Sequence, residues 1–106
     1  LYTGIVNNTL TANQVIAEEI RRQIGRQALC MIGASQFVAI ENGIQFAIKG
    51  SRAGNKIQIT LRADLYTIKL WKIRGVNCKH VSTAMMIYAE NLNRTIEDMT
   101  GLYTKL

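Results

Sequence analysis

The sequence predicts an α+β domain: an antiparallel sheet of four or five strands, a hairpin meander, with an N-terminal and a C-terminal helix packed on one face. Three observations carry this expectation. Ile16, Ile20 and Ile24 recur at the spacing of one helix face early in the chain, and Leu92, Ile96 and Met99 do so near its end. Between them, "KIQITLR" (56–62) alternates apolar and polar residues without a break, as a half-buried strand must. Asn42-Gly43 and Ala63-Asp64 each lie between two alternating runs, where hairpin turns belong.

Residues 1–9 are polar and rich in Asn, and are expected to form a tail outside a single domain of residues 10–106. Thr11 and Gln14 have the spacing of a capping box, with Leu10 and Val15 placed as a hydrophobic staple, so a helix is expected over 11–24. Glu18 and Arg22 fall four apart in the favourable order, and Gly25 supplies the stop. "QALCMIGA" (27–34) is a short apolar run and reads as a buried strand.

A two-residue turn at Asn42-Gly43 pairs Glu41 with Ile44, Ala39 with Phe46 and Phe37 with Ile48. Phe37, Ala39, Ile44, Phe46 and Ile48 then face the core, while Val38, Ile40, Gln45, Ala47 and Lys49 face outward. After a loop at 50–55, a turn over Ala63-Asp64 pairs Leu61 with Tyr66, Ile59 with Ile68 and Ile57 with Leu70. On the opposite face it pairs Thr60 with Thr67, Gln58 with Lys69 and Lys56 with Trp71. Every residue lands beside its own kind, which a one-residue slip would prevent. Residues 75–83 read either as a connection or as a last short strand over Val76–Val81. Helical spacing then runs from Ala84 or Met85 through Tyr88, Leu92, Ile96 and Met99 to a Gly101 cap. The closing segment is expected to fold back through Leu102, with Tyr103 packing it onto the body.

A chain of 106 residues has room for one domain, and its 48% hydrophobic and 19% charged composition is that of a folded protein. No run reaches the roughly 20 apolar residues of a membrane span, so no membrane partner is expected. Two cysteines and no apolar leader point to a reducing cytoplasm.

Enzymatic chemistry has little to stand on. His80, the one histidine, lies two residues from Cys78, but no orienting partner or oxyanion site accompanies them. Cys30, Cys78 and His80 lack the paired spacing of a zinc site, so no metal and no cofactor are expected. "GSRAGNK" (50–56) has the wrong spacing for a phosphate loop. A non-enzymatic protein is the expectation.

Charge is the informative feature. The chain carries a net +6, and residues 42–89 hold eight of its basic residues against one acid, Asp64. The outward face of the sheet is expected to gather Lys49, Lys56, Arg62, Lys69 and Trp71, with Arg52, Lys72 and Arg74 near its edges. Lys and Arg neutralise phosphates and an exposed indole offers a stacking surface, a combination suited to nucleic acid, DNA or RNA. A solvated face is polar in any case, but it usually mixes signs. Val38 and Ile40 add an apolar strip that also suits a protein partner, a homodimer among them.

"IGASQFVAIENGIQFAIKG", "IQITLRADLYTIKLWKIRG" and "IYAENLNRTIEDMTGLYTKL" resemble a family of small, mostly uncharacterised proteins carried by bacterial phages, prophages and plasmids. The resemblance rests on Gly33-Ala34 with Phe37-Val38, on Asp64-Leu65-Tyr66, on Ile73-Arg74-Gly75 and on the Thr100–Leu106 ending, and covers about residues 12–106. It implies a mobile-element origin and an accessory role, and carries over no catalytic residue. Trp71 and Met85 depart from it, standing where smaller or more polar residues are expected. The order helix, strands, helix is also similar to the double-stranded-RNA-binding domain, but Lys79 stands alone where that domain has a lysine cluster. The sequence thus predicts an accessory protein binding nucleic acid through its basic sheet face, or a protein-binding factor or inhibitor acting on a host or mobile-element complex.

Overall fold

Seven buried aliphatic and aromatic side chains from three central strands meet two helices on one face of a five-stranded antiparallel sheet. The computed structural model describes the backbone of residues 2–106 and the side chains from Ala12 onward. In chain order the elements are α1 (Tyr2–Ile24), α2 (Arg26–Met31), β1 (Ser35–Ile40), β2 (Gly43–Ala47), β3 (Lys56–Arg62), β4 (Leu65–Arg74), β5 (Asn77–Ile87) and α3 (Leu92–Thr100), with a 3-10 turn over Ala89–Asn91. Each strand pairs with its neighbours in sequence, so the sheet order is β1-β2-β3-β4-β5. The α+β expectation holds.

α1 buries Ala17, Ile20 and Ile24, and α3 buries Leu92 and Ile96, against Ile44, Phe46, Ile57, Ile59, Ile68 and Leu70 of the sheet. Burial of each such side chain contributes about 1.5–3 kcal/mol relative to exposure, so this layer holds the fold together. Asn93 donates from Nδ2 to the Ile24 carbonyl at 2.9 Å, tying α3 to the end of α1. Gly101 closes α3 in the left-handed conformation (φ 75°), as predicted. Leu102 packs against the core, and Thr104 donates from its backbone N–H and its hydroxyl to Glu97 Oε2 at 2.8 and 2.9 Å. Tyr103 is exposed, so Thr104 and not Tyr103 fastens the closing segment.

Other expectations change as well. α1 includes residues 2–10, so the tail over 1–9 and the helix start at Thr11 give way to one helix in which no proline interrupts the chain. The side chains of the expected cap and staple at Leu10 and Thr11 lie outside the described residues. Arg22 pairs with Glu19 at 2.6 Å instead of with Glu18, which lies 3.6 Å from Arg21.

The run 27–34 is helical, not a strand. Gly25 takes φ 93°, its carbonyl accepts from the Leu29 N–H, and Ala28 accepts from Ile32. Ala28, Leu29 and Ile32 are buried together at i, i+1, i+4, a helical set that an alternation test misses.

The first hairpin turns one residue earlier than expected. Ile40 pairs with Gly43, Ala39 with Ile44 and Val38 with Gln45. Gly43 is in the ladder because β3 passes against it, where a Cβ would overlap the Ile59 carbonyl oxygen. Asn42 carries the positive φ of the turn (60°). Pairing partners shift by two, so Ile44, Phe46 and Ile48 still face the core.

Residues 82–87 extend β5 and do not begin the last helix. The edge of β4 turned away from β3 needs partners along its whole length, and Ser82, Thr83, Ala84 and Ile87 supply them opposite Leu70, Lys69, Ile68 and Tyr66. Met85, Met86 and Tyr88 consequently lie exposed. The β3–β4 ladder is as predicted at all six predicted pairs, from Leu61↔Tyr66 to Lys56↔Trp71.

A candidate nucleic-acid interface

Alternation along β3 and β4 sends Lys56, Gln58, Thr60 and Arg62, and Thr67, Lys69 and Trp71, to the sheet face away from the helices. Partnered residues of neighbouring strands share a face, so Gln45 of β2 and His80 and Thr83 of β5 join them.

A hydrogen-bonded row crosses this face. The Trp71 indole N–H donates to Gln58 Oε1 at 2.8 Å, and Gln58 Nε2 donates to Gln45 Oε1 at 2.9 Å. On the other side the His80 ring meets Trp71 edge-on, with centroids 5.0 Å apart, and His80 Nε2 lies 2.6 Å from Thr83 Oγ1. Gln45, Gln58, Trp71, His80 and Thr83 thus form a continuous side-chain band over four strands. Its effect is to hold the indole in one orientation, half-buried, between Lys56 on β3 and Lys69 on its own strand. An aromatic already fixed in place loses little entropy when something stacks on it.

Beside the band lies a concavity of about 520 Å³ lined by Glu41, Asn42, Thr60, Leu61, Arg62, Thr67, Lys69, Thr83 and Met85. Arg62 and Lys69 outnumber the one acid of its lining, Glu41, and the Thr60 and Thr67 hydroxyls supply further donors.

The structure divides the eight residues that the sequence grouped. Lys56, Arg62, Lys69 and Trp71 come together on the outer face. Lys72 and Arg74 follow Ile68 and Leu70 in alternation and so point to the opposite side of the sheet. Lys72 Nζ donates to the Arg52 carbonyl at 3.4 Å, which places the 50–55 loop beside that second group. Lys49 sits beyond the end of β2, its N–H bonded to the Ile32 carbonyl near Gly33, and belongs to neither.

His80 and Thr83 are further candidate residues on the outer face, and Lys79 lies on the other side of the sheet opposite Lys72; none of the three is among the eight expected from the sequence. For Lys79 and His80 the signal is present in "NCKHVST", where alternation sends Lys79 to one side and Cys78 and His80 to the other; Thr83 joins His80 only because the β4–β5 register shifts between Trp71↔His80 and Leu70↔Ser82. The helical spacing assigned to the residues after it hid that alternation. Cys78 and His80 do share a face, as their spacing implies, and Cys30 is exposed on α2. Among the described residues, no three His, Cys, Asp or Glu side chains gather as metal ligands would, and no helix is long and apolar enough to cross a membrane.

Comparison with protein-family models, curated proteins and solved structures gives no significant match to this chain.

Proposed function

We propose that the protein is a non-enzymatic, cytoplasmic accessory factor of a bacterial mobile element that binds nucleic acid through the outer face of its sheet. The observation that carries this reading is Trp71, held by Gln58 and His80 between Lys56 and Lys69, in a region with eight basic residues and one acid. Lysines and Arg62 neutralise phosphates, and the fixed indole offers a base a stacking partner worth about 1–3 kcal/mol.

Trp71 is the one tryptophan, so its emission reports occupancy of the site directly. Titration with short single- and double-stranded DNA and RNA should change Trp71 fluorescence, with an affinity that falls steeply as salt rises. Replacing Lys56 and Lys69 together by Ala should flatten the slope of log K against log salt by about 2. Absence of binding at about 50 mM salt sinks the reading, because the electrostatic contribution is then near its largest.

A second reading has its own observation. β5 is an edge strand of 11 residues, paired on one side by β4, and Val81, Met85, Met86 and the following Tyr88 are exposed along it. Such an edge accepts a strand from a protein partner or from a second copy of the chain. A sizing run that shows a monomer, together with a pull-down that retains no partner, counts against it.

A further inference from the structure

The last turn of the sheet extends beyond the body as a two-stranded arm. β3 begins at Lys56, opposite Trp71, so the backbone of Lys72–Arg74 has no strand beside it other than β5. Asn55 closes the root. Its Nδ2 donates to the Ile73 carbonyl and its Oδ1 accepts from the Ile73 N–H, both at 2.8 Å, which substitutes one side chain for a residue of β3. Beyond that clip the ribbon continues through Arg74↔Asn77 to a turn at Gly75 (φ 59°) and Val76, which is fully exposed.

Among the described residues, no acid forms an ion pair with the charges on this arm. Lys72 and Lys79 are cross-strand partners, an arrangement of like charges that destabilises a ladder. Arg74 follows on the same side, Arg52 stands by in the adjoining loop, and no acid occurs between Asp64 and Glu90. A paired, braced ribbon with uncompensated positive charge is explained by an anionic partner that takes the arm between two rows of charge. From Lys72↔Lys79 to the tip the arm projects about 10 Å at the rise of a β-strand. The major groove of B-form DNA, about 12 Å wide and 8.5 Å deep, admits a two-stranded ribbon. The major groove of an RNA duplex is too narrow and deep to do so.

We infer that the β4–β5 arm enters the major groove of duplex DNA, with Lys72, Arg74 and Lys79 on the flanking phosphates and the tip at the base edges. This rests on the nucleic-acid reading of the protein and selects its substrate class. The outer face with Trp71 then meets the backbone or a displaced strand next to the groove.

The two exposed cysteines give the native protein a built-in probe, since Cys78 lies on the arm and Cys30 on α2. Alkylation of both is followed by mass spectrometry with and without a B-form DNA duplex or an RNA duplex of the same sequence. DNA should slow alkylation of Cys78 several-fold and leave Cys30 unchanged, and RNA should protect neither. In parallel, the K72A/K79A variant should lower the salt slope on DNA by about 2, and methylation of guanine N7, a major-groove atom, should interfere with binding. If DNA binds but K72A/K79A keeps its slope and N7 methylation has no effect, the arm proposal is overturned and the outer-face reading stands. Equal protection by the RNA duplex overturns the groove assignment. If no nucleic acid binds at low salt, the nucleic-acid reading fails, and the arm proposal with it.

Discussion

A β-carbon on Gly43 would overlap the backbone oxygen of Ile59 in the neighbouring strand, so this glycine is required by the approach of a chain and not by its φ. Gly43→Ala should destabilise the protein by about 3 kcal/mol, the upper end of overpacking, as measured by chemical denaturation. The β3–β4 turn has the opposite problem. Ala63 and Asp64 both carry positive φ, 51° and 65°, and alanine is poorly suited to that region. Ala63→Gly should therefore stabilise the domain by about 1 kcal/mol and raise its melting temperature by several degrees. At Trp71, replacement by Phe keeps a ring but leaves Gln58 without its indole donor. Denaturation should show a loss of about 1 kcal/mol, the value of one hydrogen bond.

Among the elements, the closing segment after α3 is held through a titratable group. Hydrogen bonds from the Thr104 backbone and hydroxyl, helped by Lys105, lower the Glu97 carboxyl below its ordinary value, against a weaker opposing effect of desolvation. A carboxyl lowered in the folded state contributes stability that is fully present above its unfolded value. That contribution is lost as pH falls through the folded value. The Thr104 amide signal in NMR should hold steady down to the ordinary carboxylate range and shift below it, and Glu97→Gln should remove that transition. The elements also differ in how plainly the sequence announces them. The β3–β4 hairpin was legible because each of its residues obeys one period and has its partner within a few positions. α2 spans a turn and a half, too short for its period to separate from that of a buried strand. β5 was missed over 82–87 because its reason for being a strand lies in β4: the need to satisfy the edge turned away from β3 outweighs local spacing. The same holds for the candidate site. Lys56, Arg62, Lys69 and Trp71 were legible from the β3–β4 ladder, whereas His80 and Thr83 depended on a strand whose extent only the tertiary structure fixes.

For the molecule as a whole, the balance of charge sets the response to salt. The ion pairs among the described residues are Glu18–Arg21 and Glu19–Arg22, both exposed on α1, and exposed pairs of this kind contribute little. The crowded positive charges of residues 42–89 have no such compensation and repel one another. Moderate salt should therefore raise the melting temperature in a scanning experiment, since it screens more repulsion than attraction. The Lys72–Lys79 pair is the most direct test, because the K72A/K79A variant should show a smaller salt-induced rise.

The order β1-β2-β3-β4-β5 has a kinetic consequence. Each strand closes onto the one just made, so the sheet can grow hairpin by hairpin, and such low contact order favours fast folding. The long closure is that of α3 onto α1, where Asn93 reaches Ile24 across 69 positions of chain. Asn93→Ala should then speed unfolding more than it slows folding, if that contact forms after the sheet. With no proline in the chain, stopped-flow refolding should also lack the phase of tens of seconds that prolyl isomerisation imposes. A slow phase whose rate rises with protein concentration would belong to association through the open β5 edge.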